Sequence, residues 1–208
     1  MQKKFLLLPI FLILTISLSA QNFNGGLILG FNMSQLDGDN HGGYTKLNLQ
    51  GGAFVSLQVS EHSSFQMEME YIGKGSHVPV DSSGNEYLYR FHYLEIPLLY
   101  QYTFARRFQI EAGPAADVLL GSYEETNGIE SPSVVPLRPV TLSGIAGFSG
   151  YITPHLKGNI RFNYSLLSIR KPVDTPPSSY RYILFEKGQY NNVIEFSLLW
   201  YFRPKDLR

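Results

Sequence analysis

Six carboxylates and two bases recur on the polar face of alternating segments. They are Glu68, Glu70, Glu95, Glu111, Asp117 and Glu195, with Lys157 and Arg161 from another part of the chain. Brought together in a closed space, these groups can do one of two things. They can relay a proton or an ion, or they can form a static polar filling, because charges shut away from water must be paired or hydrogen-bonded. The filling is the favoured reading. It leaves a local acid excess, which Arg90 or His92 would offset if either shared the face.

Other chemistry is thinly supported. The five histidines (His41, His62, His77, His92 and His155) show no HxH or HExxH spacing, so no metal site is expected. His62-Ser63 falls in a tight turn, and His77 with Ser76, Ser82 or Ser83 is the one hydrolase-like pairing left open. Gly73-Lys74-Gly75-Ser76 lacks the full phosphate-loop pattern, and Asp37-Gly38-Asp39-Asn40 lacks the distal Glu of a calcium loop. With no Cys there is no disulfide, thiolate site or cysteine nucleophile. Neither a catalytic residue nor a cofactor is expected.

The elements that must position the charged face read as strands. Period-two alternation runs through Phe65–Tyr71, Leu94–Phe104, Phe108–Val118, Leu156–Leu166 and Ile194–Phe202, with weaker Gly-rich versions over Gly26–Asn32, Leu47–Val59 and Thr141–Ile152. Three connections are tight (Ser60–Ser63, Ala105–Arg107, Thr153–His155) and four are long (Met33–Thr45, Gly75–Glu86, Gly121–Arg138, Ser168–Tyr190). An even strand count, with short turns at one end and long loops at the other, is the layout of an outer-membrane barrel. The predicted fold is all-β, an eight-stranded antiparallel up-and-down transmembrane β-barrel.

In lipid the charged face must be the lumen, since each charge turned to hydrocarbon would cost about 1–4 kcal/mol depending on depth. Alternation alone also fits a soluble ligand-binding barrel with its apolar face inward; the loop asymmetry and the aromatic last strand favour the membrane. One irregularity stands out. Tyr87, Tyr89, Phe91 and Tyr93 are odd-numbered, whereas the apolar phase is even from Leu94 onward. Either a bulge near Tyr93 shifts the phase, or this part projects beyond the bilayer.

Lys and Arg number 17 and Asp and Glu 17, so nothing attracts a nucleic acid. Met1-Gln2-Lys3-Lys4, an apolar run of 14 residues from Phe5 to Leu18, and Ser19-Ala20-Gln21 have the order of a signal peptide, residues 1–20, preceding a barrel domain over 21–208. Its removal takes Lys3 and Lys4 and no acid, so 15 bases face 17 acids, a net charge of −2. The expected location is the bacterial outer membrane, with both termini periplasmic and membrane lipid as surroundings. The longest loop carries Arg170, Lys171, Tyr180, Arg181 and Tyr182, a candidate contact surface for another envelope protein; a merely solvated loop is equally consistent.

Tyr93-Leu94-Glu95-Ile96-Pro97-Leu98-Leu99, Gly113-Pro114, Tyr71-Ile72-Gly73-Lys74-Gly75-Ser76 and the Ser19-Ala20-Gln21 site together resemble the outer-membrane β-barrel domain of Bacteroidetes, which includes PorT-like proteins. The resemblance implies an integral outer-membrane barrel and, for PorT-like members, a role in type IX secretion or gliding. The expected function is non-enzymatic, structural or as partner subunit of an envelope complex. The alternatives are an outer-membrane enzyme acting on lipid or peptide and the soluble periplasmic barrel.

Overall fold

The computed structural model describes residues 22–39, 41–80, 84, 86–131 and 135–206. The predicted signal peptide, Asn40, Ser82 and Ser83 lie outside the described residues. The strands in chain order are β1 (Asn22–Asp37), β2 (Lys46–Gln58), β3 (Ser63–Val78), β4 (Tyr87–Phe104), β5 (Phe108–Thr126), β6 (Ile129–Glu130), β7 (Val140–Tyr151), β8 (Leu156–Ser165), β9 (Arg181–Ile183), β10 (Glu186–Gly188) and β11 (Tyr190–Tyr201). Eight of them close a barrel in the order β4-β3-β2-β1-β11-β8-β7-β5, with β5 pairing back onto β4. All these pairings are antiparallel. The fold is the eight-stranded barrel expected from the alternation, and closure pairs every strand on both sides through the membrane-facing part of the wall.

The tight turns form where the sequence places them, joining β2 to β3, β4 to β5 and β7 to β8. In the second, Ala105 and Arg106 both take positive φ (49° and 61°). That left-handed pair matches the twist of a hairpin but suits neither side chain. Beside this turn Phe104, Phe108 and Phe148 pack ring against ring. At the other end the strands run well past the apolar alternation, β1 to Asp37, β3 to Val78 and β5 to Thr126. Four longer connections follow, one of them carrying the β9–β10 hairpin.

Sidedness decides between the membrane and soluble alternatives. Leu27, Leu29 and Phe31 on β1, Phe65, Met67 and Met69 on β3, Leu98, Tyr100 and Tyr102 on β4, Ile160 and Phe162 on β8 and Leu198 and Trp200 on β11 are all exposed on the outer wall. Glu68, Glu70, Glu95, Glu111, Asp117, Lys157, Arg161 and Glu195 are buried inside. A ligand-binding barrel in water needs the reverse, so the soluble reading falls.

A bulge does fall near Tyr93, but on the facing strand and without the expected change of phase on β4. β4 keeps one inward phase throughout, from Phe91 through Tyr93, Glu95, Leu99 and Gln101 to Thr103. The bulge lies across the ladder on β5: His92 pairs with Gly121 and Tyr93 with Leu119, leaving Leu120 as the extra residue. Phe91 and Tyr93 therefore point inward and join Leu36, Ile72 and Ile169 in an apolar cluster that caps the polar interior. At the short-turn end Ile28, Phe54, Tyr151, Leu199 and Tyr201 form a second cluster. Between these two clusters the interior is mainly polar, interrupted on one side by a third, smaller apolar cluster of Leu99, Ala115 and Ile145.

Candidate functional site

The chemistry-bearing residues converge inside the barrel because each sits on the inward parity of its strand. On β3 the even positions face in, on β8 the odd ones. Arg161 of β8 lies four strands from β3 in either direction around the wall, so it reaches straight across the tube. Its guanidinium grips Glu68 with two parallel bonds, Nη2 to Oε1 at 2.6 Å and Nη1 to Oε2 at 2.7 Å. Its Nε donates to Glu111 Oε1 at 2.5 Å, and Nη1 lies 3.4 Å from Glu70 Oε1. A forked cation holding carboxylates from β3 and β5 is the geometry for which Arg is suited and Lys is not.

A second centre lies nearer the long-loop end. Lys74 Nζ donates to Glu95 Oε2 at 2.5 Å and to Asp117 Oδ1 at 2.9 Å. Asn163 ties Glu195 to this centre, its Nδ2 donating to both Glu95 Oε2 and Glu195 Oε1 at 2.8 Å. Glu195 also accepts from Gln50 Nε2 at 3.3 Å. Lys157 stands apart toward the short-turn end, donating to Gln109 Oε1 at 3.0 Å and lying over the Tyr201 and Tyr151 rings at 5.4 and 5.8 Å. Its aromatic neighbours supply a cation–π environment in place of a carboxylate.

The eight anticipated residues are thus all in the interior, and one that the sequence reading passed over joins them. Lys74, and neither Arg90 nor His92, supplies the further positive charge. Those two face outward on β4: the Arg90 guanidinium lies 5.9 Å from the centre of the Tyr123 ring, and His92 Nδ1 is 2.6 Å from the Tyr71 hydroxyl. The signal for Lys74 was present, since it shares even parity with Glu68 and Glu70. Its place in a glycine-rich string drew attention to phosphate loops instead.

The centre of the interior is closed: Arg161 is 1% exposed and Lys74 and Lys157 are 0% exposed, while the short-turn mouth opens into a cavity of about 460 Å³ lined by Ser64, Gln101, Gln109, Tyr151 and Tyr201 among others. This filling of an eight-stranded lumen by side chains is the outcome expected at that diameter.

The loop residues divide. Arg170 is 2% exposed: its guanidinium bonds Glu124 Oε2 at 2.9 Å, Gln189 Oε1 at 2.5 Å and Val135 O at 2.8 Å. Tyr180 is 7% exposed. Both are therefore withdrawn from the candidate contact surface, because Arg170 is spent tying the loop to the barrel mouth and Tyr180 is folded beneath it. Lys171, Arg181 and Tyr182 remain exposed. The hydrolase-like pairing also dissolves for Ser76, which is buried inside while His77 faces Glu86 at 3.2 Å. Neighbours on a strand point to opposite faces.

The barrel, its apolar outer wall and its charged interior agree with what the sequence matches. Residues 19–171 match the family model described as outer membrane protein beta-barrel domain. The chain belongs to this family. Among solved structures it is similar to the attachment invasion locus protein Ail of Yersinia pestis, at 8% identity over 87% of this chain and 99% of that one, with a TM-score of 0.46. It is also similar to Neisserial surface protein A, at 8% identity over 86% of this chain and 96% of that one, TM-score 0.48. A third is the outer membrane protein OprG of Pseudomonas aeruginosa, at 15% identity over 87% of this chain and 94% of that one, TM-score 0.36. No curated protein matches the chain. Membership in the outer membrane family implies the bacterial outer membrane as its location.

Proposed function

We propose that this family member is a non-enzymatic, non-conducting outer-membrane barrel that serves as a structural element or partner subunit of an envelope complex. After removal of residues 1–20 both termini face the periplasm, the three tight turns lie on that side, and the long loops face outward. The observation that carries the reading is the closed interior: a lumen filled by the Arg161 and Lys74 ion-pair centres leaves the outer loops as the surface free to work. The working part is the β9–β10 hairpin, whose tip presents Tyr182 at 72% and Phe185 at 71% exposure, flanked by Arg181 and Lys187. An aromatic tip with adjacent cations is the composition of a protein contact site. The resemblance to PorT-like proteins of Bacteroidetes points to type IX secretion or gliding as the setting.

The test has two arms. In planar bilayers the purified chain gives no discrete conductance steps; steady channels would overturn the sealed-barrel reading. From gently solubilised envelopes, a tagged chain co-purifies with a stoichiometric partner that is lost on Tyr182→Ser with Phe185→Ser. Recovery of the barrel alone, or of the same partner with the altered hairpin, would overturn the hairpin's role.

A further inference from the structure

Among the described residues the closed wall has an unzipped seam at its long-loop end. The ladder between β2 and β3 stops at Gln50 with Ile72, although β2 continues to Lys46 and β3 to Val78. Along the seam, side chains take acceptors on β3. Lys46 Nζ donates to Lys74 O at 3.1 Å, Ser34 Oγ to Gly75 O at 2.8 Å, and Thr45 Oγ1 to His77 O. Gly75 permits the departure, with φ of +127° and an added Cβ falling 2.2 Å from Tyr89 O.

A cavity of about 550 Å³ opens at this seam, lined among others by Lys46, His77, Glu86, Arg90, His92 and Glu125. The two acids have partners: Glu86 faces His77 at 3.2 Å, and Glu125 accepts the Tyr123 hydroxyl at 2.8 Å. Among the described residues neither Lys46 nor Arg90 has a carboxylate within ion-pair distance. Arg90 faces outward, whereas Lys46 starts from the inward face of β2 at 8% exposure, its Nζ also donating to Asn48 Oδ1, and lines the cavity through the open seam.

Height along the barrel axis says what such a pair of cations would meet. On β4 the outward residues Phe104, Tyr102, Tyr100, Leu98, Ile96 and Leu94 form an apolar column. At the rise of a tilted strand it is about 25 Å tall, the thickness of the hydrocarbon band. His92 and Arg90 come next on the same face. The cavity therefore lies at headgroup level and opens sideways toward lipid.

We infer that this seam is a binding site for the phosphate of a lipid headgroup in the leaflet at the long-loop end, gripped by Arg90 and Lys46 above the apolar column. Arg forks onto phosphate oxygens and Lys adds a point charge. The acyl chains lie along Leu94 and Leu98 below. The leaflet assignment rests on the orientation proposed above.

The test is native mass spectrometry of the full chain released from micelles doped with diphosphoryl lipid A, with the same lipid A after removal of its phosphates, or with inorganic phosphate alone. One diphosphoryl lipid A stays bound per barrel, favoured at least about 10-fold over the dephosphorylated form. Arg90→Gln and Lys46→Gln each abolish most of that preference, while Arg106→Gln at the opposite end leaves it unchanged. Heat-modifiable gel migration confirms that each variant is folded, and Arg90→Gln carries the test should Lys46→Gln not fold. Equal retention of the two lipids, or equal loss with Arg106→Gln, overturns the site. Displacement of the lipid by inorganic phosphate at low concentration overturns the lipid as its source. Binding in micelles is blind to orientation, which protease shaving of whole cells reads separately, so failure of either claim is recognisable by itself.

Discussion

Replacing Arg161 by Met removes the cation that draws β3, β5 and β8 together while roughly keeping its volume. Glu111 keeps Asn159 Nδ2 at 2.9 Å and Gln101 Nε2 at 2.8 Å, so it is the least affected. Glu68 keeps its bond from Gln66 and its contact with Glu70 but no cation, and Glu70 loses the one cation beside it. Leaving buried carboxylates without their counter-charge costs about 3–5 kcal/mol. With a urea slope of about 2 kcal/mol per molar, the unfolding midpoint should fall by roughly 2 M. The readout is built in: Trp200 is the only tryptophan, and it faces lipid on the outer wall. Its emission during reversible urea unfolding in phospholipid vesicles follows the transition. Adding Glu68→Gln to Arg161→Met should restore about 1–3 kcal/mol, the coupling expected of residues in direct contact. A midpoint drop under about 0.5 M for Arg161→Met, or a further loss on adding Glu68→Gln, would refute the ion-pair account of the interior.

Three further outcomes follow from local geometry. Gly75→Ala should destabilise the barrel by about 1–3 kcal/mol in the same assay, because the new Cβ meets Tyr89 O and φ stays positive. Ala105→Asn with Arg106→Gly, placing residues that accept positive φ in the tight turn, should stabilise it by about 1–2 kcal/mol, read as a higher urea midpoint. Burial raises the Asp39 carboxyl above its usual range, against the bond it accepts from His41 N–H, so its ionised form costs stability above that range and nothing once protonated in both states. Asp39→Asn should therefore raise the midpoint at neutral pH and converge with the parent chain as pH falls below about 4.

The strands, their sidedness and the eight interior charges were legible because lipid outside and ion pairs inside enforce opposite chemistries on alternate residues. Leu156–Leu166 shows this alternation clearly. Legibility failed where that contrast lapses. Above the bilayer the wall of β3 passes through Gly73 and Gly75, hydrogen bonding sustains the strand without an apolar face, and Lys74 went unrecognised although its parity was right. At Phe91 and Tyr93 the interior itself turns apolar, so inward aromatics looked like a change of phase. Arg170 read as a surface base because its partners, Glu124, Gln189 and Val135 O, come from distant parts of the chain. No local pattern announces a bond across 46 residues.

The pairing of Arg161 with Glu68 joins positions 93 residues apart on opposite sides of the tube. Lys74 and Glu95 can enter together on β3–β4, but a unit entering the bilayer alone would carry its other charges into hydrocarbon without partners, at up to about 2–4 kcal/mol for a base such as Arg161 near the midplane. β3–β4 would arrive without Arg161, and β7–β8 without Glu68. Piecemeal insertion is thus energetically uphill until the last strands meet. Biogenesis should proceed with the polar faces already turned toward one another, so that β3, β5 and β8 cross the membrane together.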